Sequence, residues 1–209
     1  MYAQIVLYDG FDPLDVIAPY EVLWAGGLAT GGALTVELAA ADGPGPVTGG
    51  SGIVLQATAA LDPDRADLVL VPGAAGPVDD IPALLGATVG TRLSELLAEA
   101  MKRPDTTVAA VCGGGLVLSM AGLLEGRPAV THHLGMDLLD ATGATAVRAR
   151  VVDDGDLVTA GGVTSGLDLA LHLLDREFGP RVAHAVEELF EYERRGIVWR
   201  AGGLEPVAF

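Results

Sequence analysis

The stretch TTVAAVCGGGLVLSMAGLL, residues 106–124, decides the fold. It carries no charge, and a bilayer span would need about 20 continuous apolar residues. Gly113, Gly114 and Gly115 break it in the middle. A buried strand over 107–111, a tight turn at Cys112 and a buried helix beginning just past it account for the pattern better than a membrane span. The alternation repeats on both sides of this unit. Residues 3–7, 34–40 and 68–71 read as strands, the last stopped by Pro72 and Gly73, and residues 92–101 read as a helix. Short β-rich runs alternating with helical patterns imply an α/β sheet covered by helices on both faces.

Farther out, Asp12 and Pro13 have the form of an N-cap and first helical position. Pro19 is expected to interrupt the helix that they begin, giving a short turn through Asp15 and a separate helix after Pro19. Residues 46–57, centred on Gly49, Gly50, Ser51 and Gly52, predict a hairpin added to the edge of the sheet. Residues 147–153 and 157–160 flank Asp154, Gly155 and Asp156, which predicts an antiparallel hairpin. Residues 161–166 lead into a helix ending near Phe178; Gly179 and Pro180 separate it from a last amphipathic helix to about Glu191. There is no internal repeat, long linker or low-complexity segment, so residues 1–209 are expected to form a single domain.

Composition bounds the function. Of 209 residues, 50% are hydrophobic and 19% charged, which fits a compact fold and excludes a disordered or collagen-like chain. With 12 Lys+Arg against 28 Asp+Glu the formal charge is -16, which argues against nucleic acid and anionic membranes as partners. The single cysteine excludes an intrachain disulfide and any site built on several thiolates, and suits a reducing, cytoplasmic setting. Residues 1–9 lack the basic start of a secretory signal and read as a first strand.

Cys112 is the first candidate for chemistry. A thiol between a buried strand and glycines can sit on a strained strand-to-helix turn, and at a helix N-terminus its pKa would fall. The alternative is a small core residue, since free Cys is among the most buried types. Asp15 is the second. A carboxyl among apolar residues just past the first strand lies on the edge where open α/β sheets bind ligands, and burial would raise its pKa and make it an acid; an exposed capping Asp fits the spacing as well. Gly73 and Ala74 end another buried strand at that edge, and backbone N–H groups there, with that of Gly113, could form an oxyanion hole. A plain turn fits too. His132 and His133 follow residues 129–131, and one of them could approach Cys112. His172 and His184 lie on predicted helices without zinc-ligand spacing, and neither a metal motif nor a phosphate loop is present.

The blocks GFDPLDVIAPYEVL (10–23), DLVLVPGA (67–74), residues 108–131 with Cys112 and AGLLEGRPAVT, and VVDDGDLVTAGGVTSGLDLALHL (151–173) resemble the DJ-1/PfpI superfamily over nearly the whole length. The last two look most like the branch with isonitrile hydratases and the sensory halves of AraC-type regulators. The resemblance implies a flavodoxin-like three-layer sandwich with a mostly parallel sheet and the edge hairpin, Cys112 as nucleophile, Asp15 as the acidic partner, no cofactor or metal, and a homodimer. Gly113 stands where isonitrile hydratases typically carry Thr and PfpI-type peptidases His, and Ala74 stands for the second Gly of a PGG motif. The implied activity is hydration of a small organic isocyanide to an N-substituted formamide. A glyoxalase- or deglycase-like activity on small carbonyl compounds and a non-enzymatic cysteine-based redox or ligand sensor are the alternatives. A DNA-binding regulator is not expected, because the residues after Glu191 are too few for a helix-turn-helix domain.

Overall fold

A computed structural model describes residues 1–204 and 207. The chain opens with β1 (Tyr2–Leu7), α1 (Pro13–Ala29), β2 (Thr35–Ala40), β3 (Gly45–Thr48), β4 (Val54–Ala57), β5 (Ala59–Ala60) and β6 (Leu68–Val71). It continues through α2 (Ile81–Gly86), α3 (Arg92–Ala100), β7 (Thr107–Val111), α4 (Gly114–Met120), β8 (Pro128–Ala129), α5 (Met136–Ala141) and β9 (Thr145–Ala146). The hairpin β10 (Val151–Asp153) and β11 (Leu157–Ala160), then α6 (Ser165–Phe178), α7 (Pro180–Phe190) and β12 (Trp199–Arg200) complete it.

Eight strands form one sheet in the order β12-β10-β11-β7-β6-β1-β2-β5, parallel except where β10 meets β11. The period-2 alternation of strand side chains divides the core. Ile5, Leu7, Leu68, Leu70, Ala109 and Val111 pack on one face with Val16, Val22 and Leu23 of α1, Leu169 and Leu173 of α6, and Val186 of α7. Val6, Val69, Val71, Val108 and Ala110 pack on the other with Leu85, with Leu93 and Leu97 of α3, and with Leu116 and Val117 of α4. β6 is buried along its whole length, which is why its sequence is a continuous apolar run and not an alternation. The mostly parallel, helix-covered sandwich expected from the sequence is therefore present. Among the described residues no helix is long and apolar enough to cross a membrane.

Three local features differ from the sequence expectation. α1 runs unbroken through Pro19, where a helix break was expected, and Asp12 caps it by accepting the Leu14 N–H. Pro19 removes the bond its N–H would make to the Asp15 carbonyl, but α1 is packed against α6 and α7, and its buried face compensates. The hairpin over 46–57 forms, but β3 and β4 pair with each other as a separate two-stranded sheet, and β5 takes the edge position beside β2. The strand expected over 147–153 shortens to β10, with Arg148 and Arg150 left in the preceding loop.

Candidate active site

Four loops meet at the C-terminal edge of the sheet, the edge at which open α/β sheets bind ligands. They follow β1 (Phe11 to Asp15), β6 (Pro72 to Ala74), β7 (Cys112 onward) and β11 (Gly161 to Val163). An isolated bridge between Phe11 and Ala74 ties the first two together.

Cys112 sits on the turn from β7 to α4 with φ +54, a left-handed conformation that costs a non-glycine residue about 1–3 kcal/mol and persists only where the surroundings impose it. The Cys112 N–H donates to the carbonyls of Ala160 at 3.1 Å and Gly161 at 3.0 Å, while its carbonyl accepts the Thr131 hydroxyl at 2.6 Å. The glycines that follow are required by space. A Cβ on Gly114 would run into the Val71 carbonyl oxygen, and one on Gly115 would lie 2.9 Å from that of Val130. Gly113 is in ordinary helical conformation, and its missing side chain is replaced by Leu85, whose two methyls would stand 3.0 and 3.2 Å from a Cβ there.

Asp15, in the first turn of α1, is fully buried. Its Oδ2 accepts the Gly73 N–H at 2.9 Å, and its Oδ1 is buried without an ordinary hydrogen-bond partner. The Cys112 thiol is the further polar group facing this carboxyl. Burial, and next the charge of Asp12, push Asp15 up to about 8 against the pull of the Gly73 N–H and the thiol. Burial and the charge of Asp15 push Cys112 up to about 12, although the backbone N–H groups of Val163 and Gly113 stabilise its thiolate. The acidification expected of Cys112 from a helix N-terminus is thus reversed. Removing water from the sulfur outweighs two amide donors. At neutral pH the pair is a carboxylic acid beside a thiol, and the first proton leaves near pH 8. Tyr8 donates its hydroxyl to the Pro72 carbonyl at 2.9 Å, and burial, then the charges of Asp15 and Cys112, raise its pKa.

Cys112, Ala74, Gly113 and His132 all line one cavity of about 580 Å³. Asp15 does not reach its wall. Gly73 does not serve as a free oxyanion donor, because its amide is committed to Asp15. Nδ1 of His132 accepts the Leu134 N–H at 3.3 Å, burial and the charge of His133 lower its pKa, and the two rings stand 4.5 Å apart. His172 is instead a buried partner of Asp153 at 2.7 Å, and His184 is exposed on α7. Among the described residues no His/Cys/Asp/Glu group could hold a metal ion. Sequence reasoning missed Val163 and Leu85. Val163 holds φ +35, unusual for a β-branched residue, and presents its N–H to the sulfur; the neighbouring Gly161 and Gly162 read only as a loop.

The family model described as "DJ-1/PfpI family" matches residues 1–176. An isonitrile hydratase of Pseudomonas putida is 35% identical over 188 residues, covering 90% of this chain and 76% of that protein. Deglycase TK1284 of Thermococcus kodakarensis is 28% identical over 163 residues, covering 77% and 89%. Among solved structures, a ThiJ/PfpI family protein from Pseudomonas syringae superposes with a TM-score of 0.78 at 25% identity, covering 93% of this chain and 76% of the other.

Proposed function

The chain belongs to the DJ-1/PfpI family, and from that premise we propose that it is a cysteine-dependent enzyme adding water to a small organic isocyanide to give an N-substituted formamide. The observation that carries the reading is the buried acid beside a strained cysteine, Asp15 with Cys112. The terminal carbon of an isocyanide must gain both a proton and a nucleophile, and this pair holds one of each.

Asp15 stands behind the sulfur and off the cavity wall, so it acts through the thiol: the Cys112 S–H proton passes to the isocyanide carbon as the sulfur bonds to the same carbon, and the Asp15 carboxyl relays a water proton back to the sulfur when it leaves. The product of this half is a thioimidate. Water then adds to that carbon, the carbon–sulfur bond breaks, and the two water protons end on the formamide nitrogen and the thiol. The N–H groups of Val163 and Gly113 stabilise negative charge on the sulfur as it leaves.

The relative named as a deglycase favours a second reading, action on small carbonyl compounds through the same pair. Incubation with alkyl and aryl isocyanides and, separately, with methylglyoxal tests both readings, with formamide or lactate followed and Cys112→Ser as the control. Formamide production lost in Cys112→Ser is the expected result; lactate alone supports the second reading, and neither product refutes both.

We place this activity in the cytoplasm, where a chain with a single cysteine and no disulfide framework fits, and in a homodimer. Leu14, Ile17, Trp24 and Leu28 form an exposed apolar stripe on α1, with Trp24 49% and Leu28 63% accessible. Such a stripe suits a twofold interface.

A further inference from the structure

A second cavity adjoins the one at Cys112, and His132 and Val163 belong to the walls of both. Its lining is basic where the chain as a whole is acidic. Arg148, Arg150, His132 and His133 line it, with the hydroxyl residues Thr164 and Ser165, and no Asp or Glu contributes to its wall. Two arginines and two imidazoles thus line one cavity in a protein with 28 acidic residues and net charge -16, and of the two guanidinium groups only that of Arg150 is paired with a carboxylate among the described residues. The Cys112 cavity differs, since Asp12 and Asp79 line it.

The two arginines are held differently. Arg150 donates from Nε to Asp168 Oδ2 at 2.6 Å and from Nη2 to the Thr164 hydroxyl at 3.2 Å, so its guanidinium is fixed in place as part of the wall. Arg148 is exposed and takes no part in the ion pairs formed among the described residues. An arginine with its fork free, beside two imidazoles and hydroxyl groups, suits a carboxylate. A carboxylate in the neighbouring cavity would instead meet Asp12 and Asp79.

We propose that this second cavity seats a carboxylate of the substrate, so that the enzyme acts on small carboxylate-bearing molecules whose electrophilic carbon lies at Cys112 while the anionic end lies against Arg148 and His133. The proposal rests on Cys112 being the nucleophile, and it names the class of substrate that the isocyanide or carbonyl reading leaves open. Arg148 and His133 are then specificity determinants that do not touch the reacting atoms.

The test compares two maleimides that differ in one group: N-ethylmaleimide and 3-maleimidopropionate. Cys112 is the sole cysteine, so labelling reports on it alone. Second-order rates are measured on the folded protein and on the urea-unfolded chain, whose net negative charge disfavours the acid equally. The folded protein is expected to prefer the acid by about tenfold over the unfolded reference, the scale of one charge-assisted contact. That preference should shrink in Arg148→Gln and disappear in Arg148→Gln/His133→Gln, both with unchanged thermal midpoints, while N-ethylmaleimide labelling stays at the wild-type rate. Labelling by N-ethylmaleimide with no preference for the acid, or a preference that survives both substitutions, overturns the carboxylate seat and leaves the nucleophile standing. Failure of both reagents to label folded Cys112 overturns the nucleophile reading and this proposal with it.

Discussion

Replacing Asp15 by asparagine should separate what the carboxyl contributes to chemistry from what it costs the fold. The Asp15→Asn side chain keeps an acceptor for the Gly73 N–H and has no proton to transfer. In the wild type the carboxyl titrates at about 8 in the folded protein against its ordinary 3.8. Below about pH 4 both folded and unfolded chains carry the neutral acid, so burial adds no penalty. As pH rises from there to about 8, the unfolded chain releases a proton that the folded chain retains, and wild-type stability falls. At 1.36 kcal/mol per pH unit, the interval between 3.8 and about 8 amounts to on the order of 5 kcal/mol. Asp15→Asn should therefore match the wild type near pH 4 and exceed it by several kcal/mol near pH 8, read from urea midpoints across that range. Formamide turnover should fall about 10²–10⁴-fold, the usual contribution of a positioned acid. A stability difference that does not change with pH would refute the burial of a neutral acid, and a folded Asp15→Asn protein with near wild-type turnover would remove Asp15 as the proton relay behind the sulfur.

Modification of Cys112 by iodoacetamide should keep accelerating well above pH 8.5, because the thiol stands at about 12, and the profile should move to lower pH in Asp15→Asn; a wild-type midpoint below about 8.5 would mean that the amides of Val163 and Gly113 outweigh burial. Gly113→Thr should cost roughly 1–3 kcal/mol, because its Cβ would meet the Leu85 methyls at 3.0 and 3.2 Å. Adding Leu85→Ala should relieve that crowding, so a Gly113→Thr protein as stable as wild type would show that Leu85 yields without penalty. Trp24→Glu in the apolar stripe of α1 should convert a homodimer to a monomer in light scattering at micromolar concentration, and an unchanged dimer mass would place the interface elsewhere.

The strands were legible where the chain is buried on both faces and punctuated. Leu68–Val71 ends at Pro72 and Gly73, and Thr107–Val111 at the glycine triplet, so composition and breakers agree. Two-residue strands such as β5, β8, β9 and β12 carry no period to read. Pro19 misled for a different reason. Its penalty is local and visible, whereas the compensation comes from α6 and α7, which meet α1 only after the chain has folded. The hairpin over 46–57 was readable from its glycines, but its pairing partner is a matter of how β2 and β5 meet, which turn chemistry does not encode.

The site divides in the same way. Asp15, Gly73, Ala74, Gly113 and Cys112 each follow a buried strand, so a parallel topology brings them to one edge, and that much is legible from spacing. Val163 stands outside that logic, because its N–H reaches the sulfur through a strained turn with φ +35 beyond β11. The acidity of Cys112 was misjudged since a helix-terminus argument considers only donors near in sequence, while the opposing influences, burial and the Asp15 carboxyl from α1, are tertiary. That reversal bears on mechanism. A free thiolate would attack before any proton was available, and attack on an isocyanide would leave negative charge on carbon. With the pair neutral below about pH 8, the S–H proton passes to the isocyanide carbon as the sulfur bonds to it, so bond formation and proton transfer are coupled, and the protonated Asp15 is in place to return a proton to the sulfur as it leaves. The same burial that weakens the fold at alkaline pH keeps the acid loaded for that step.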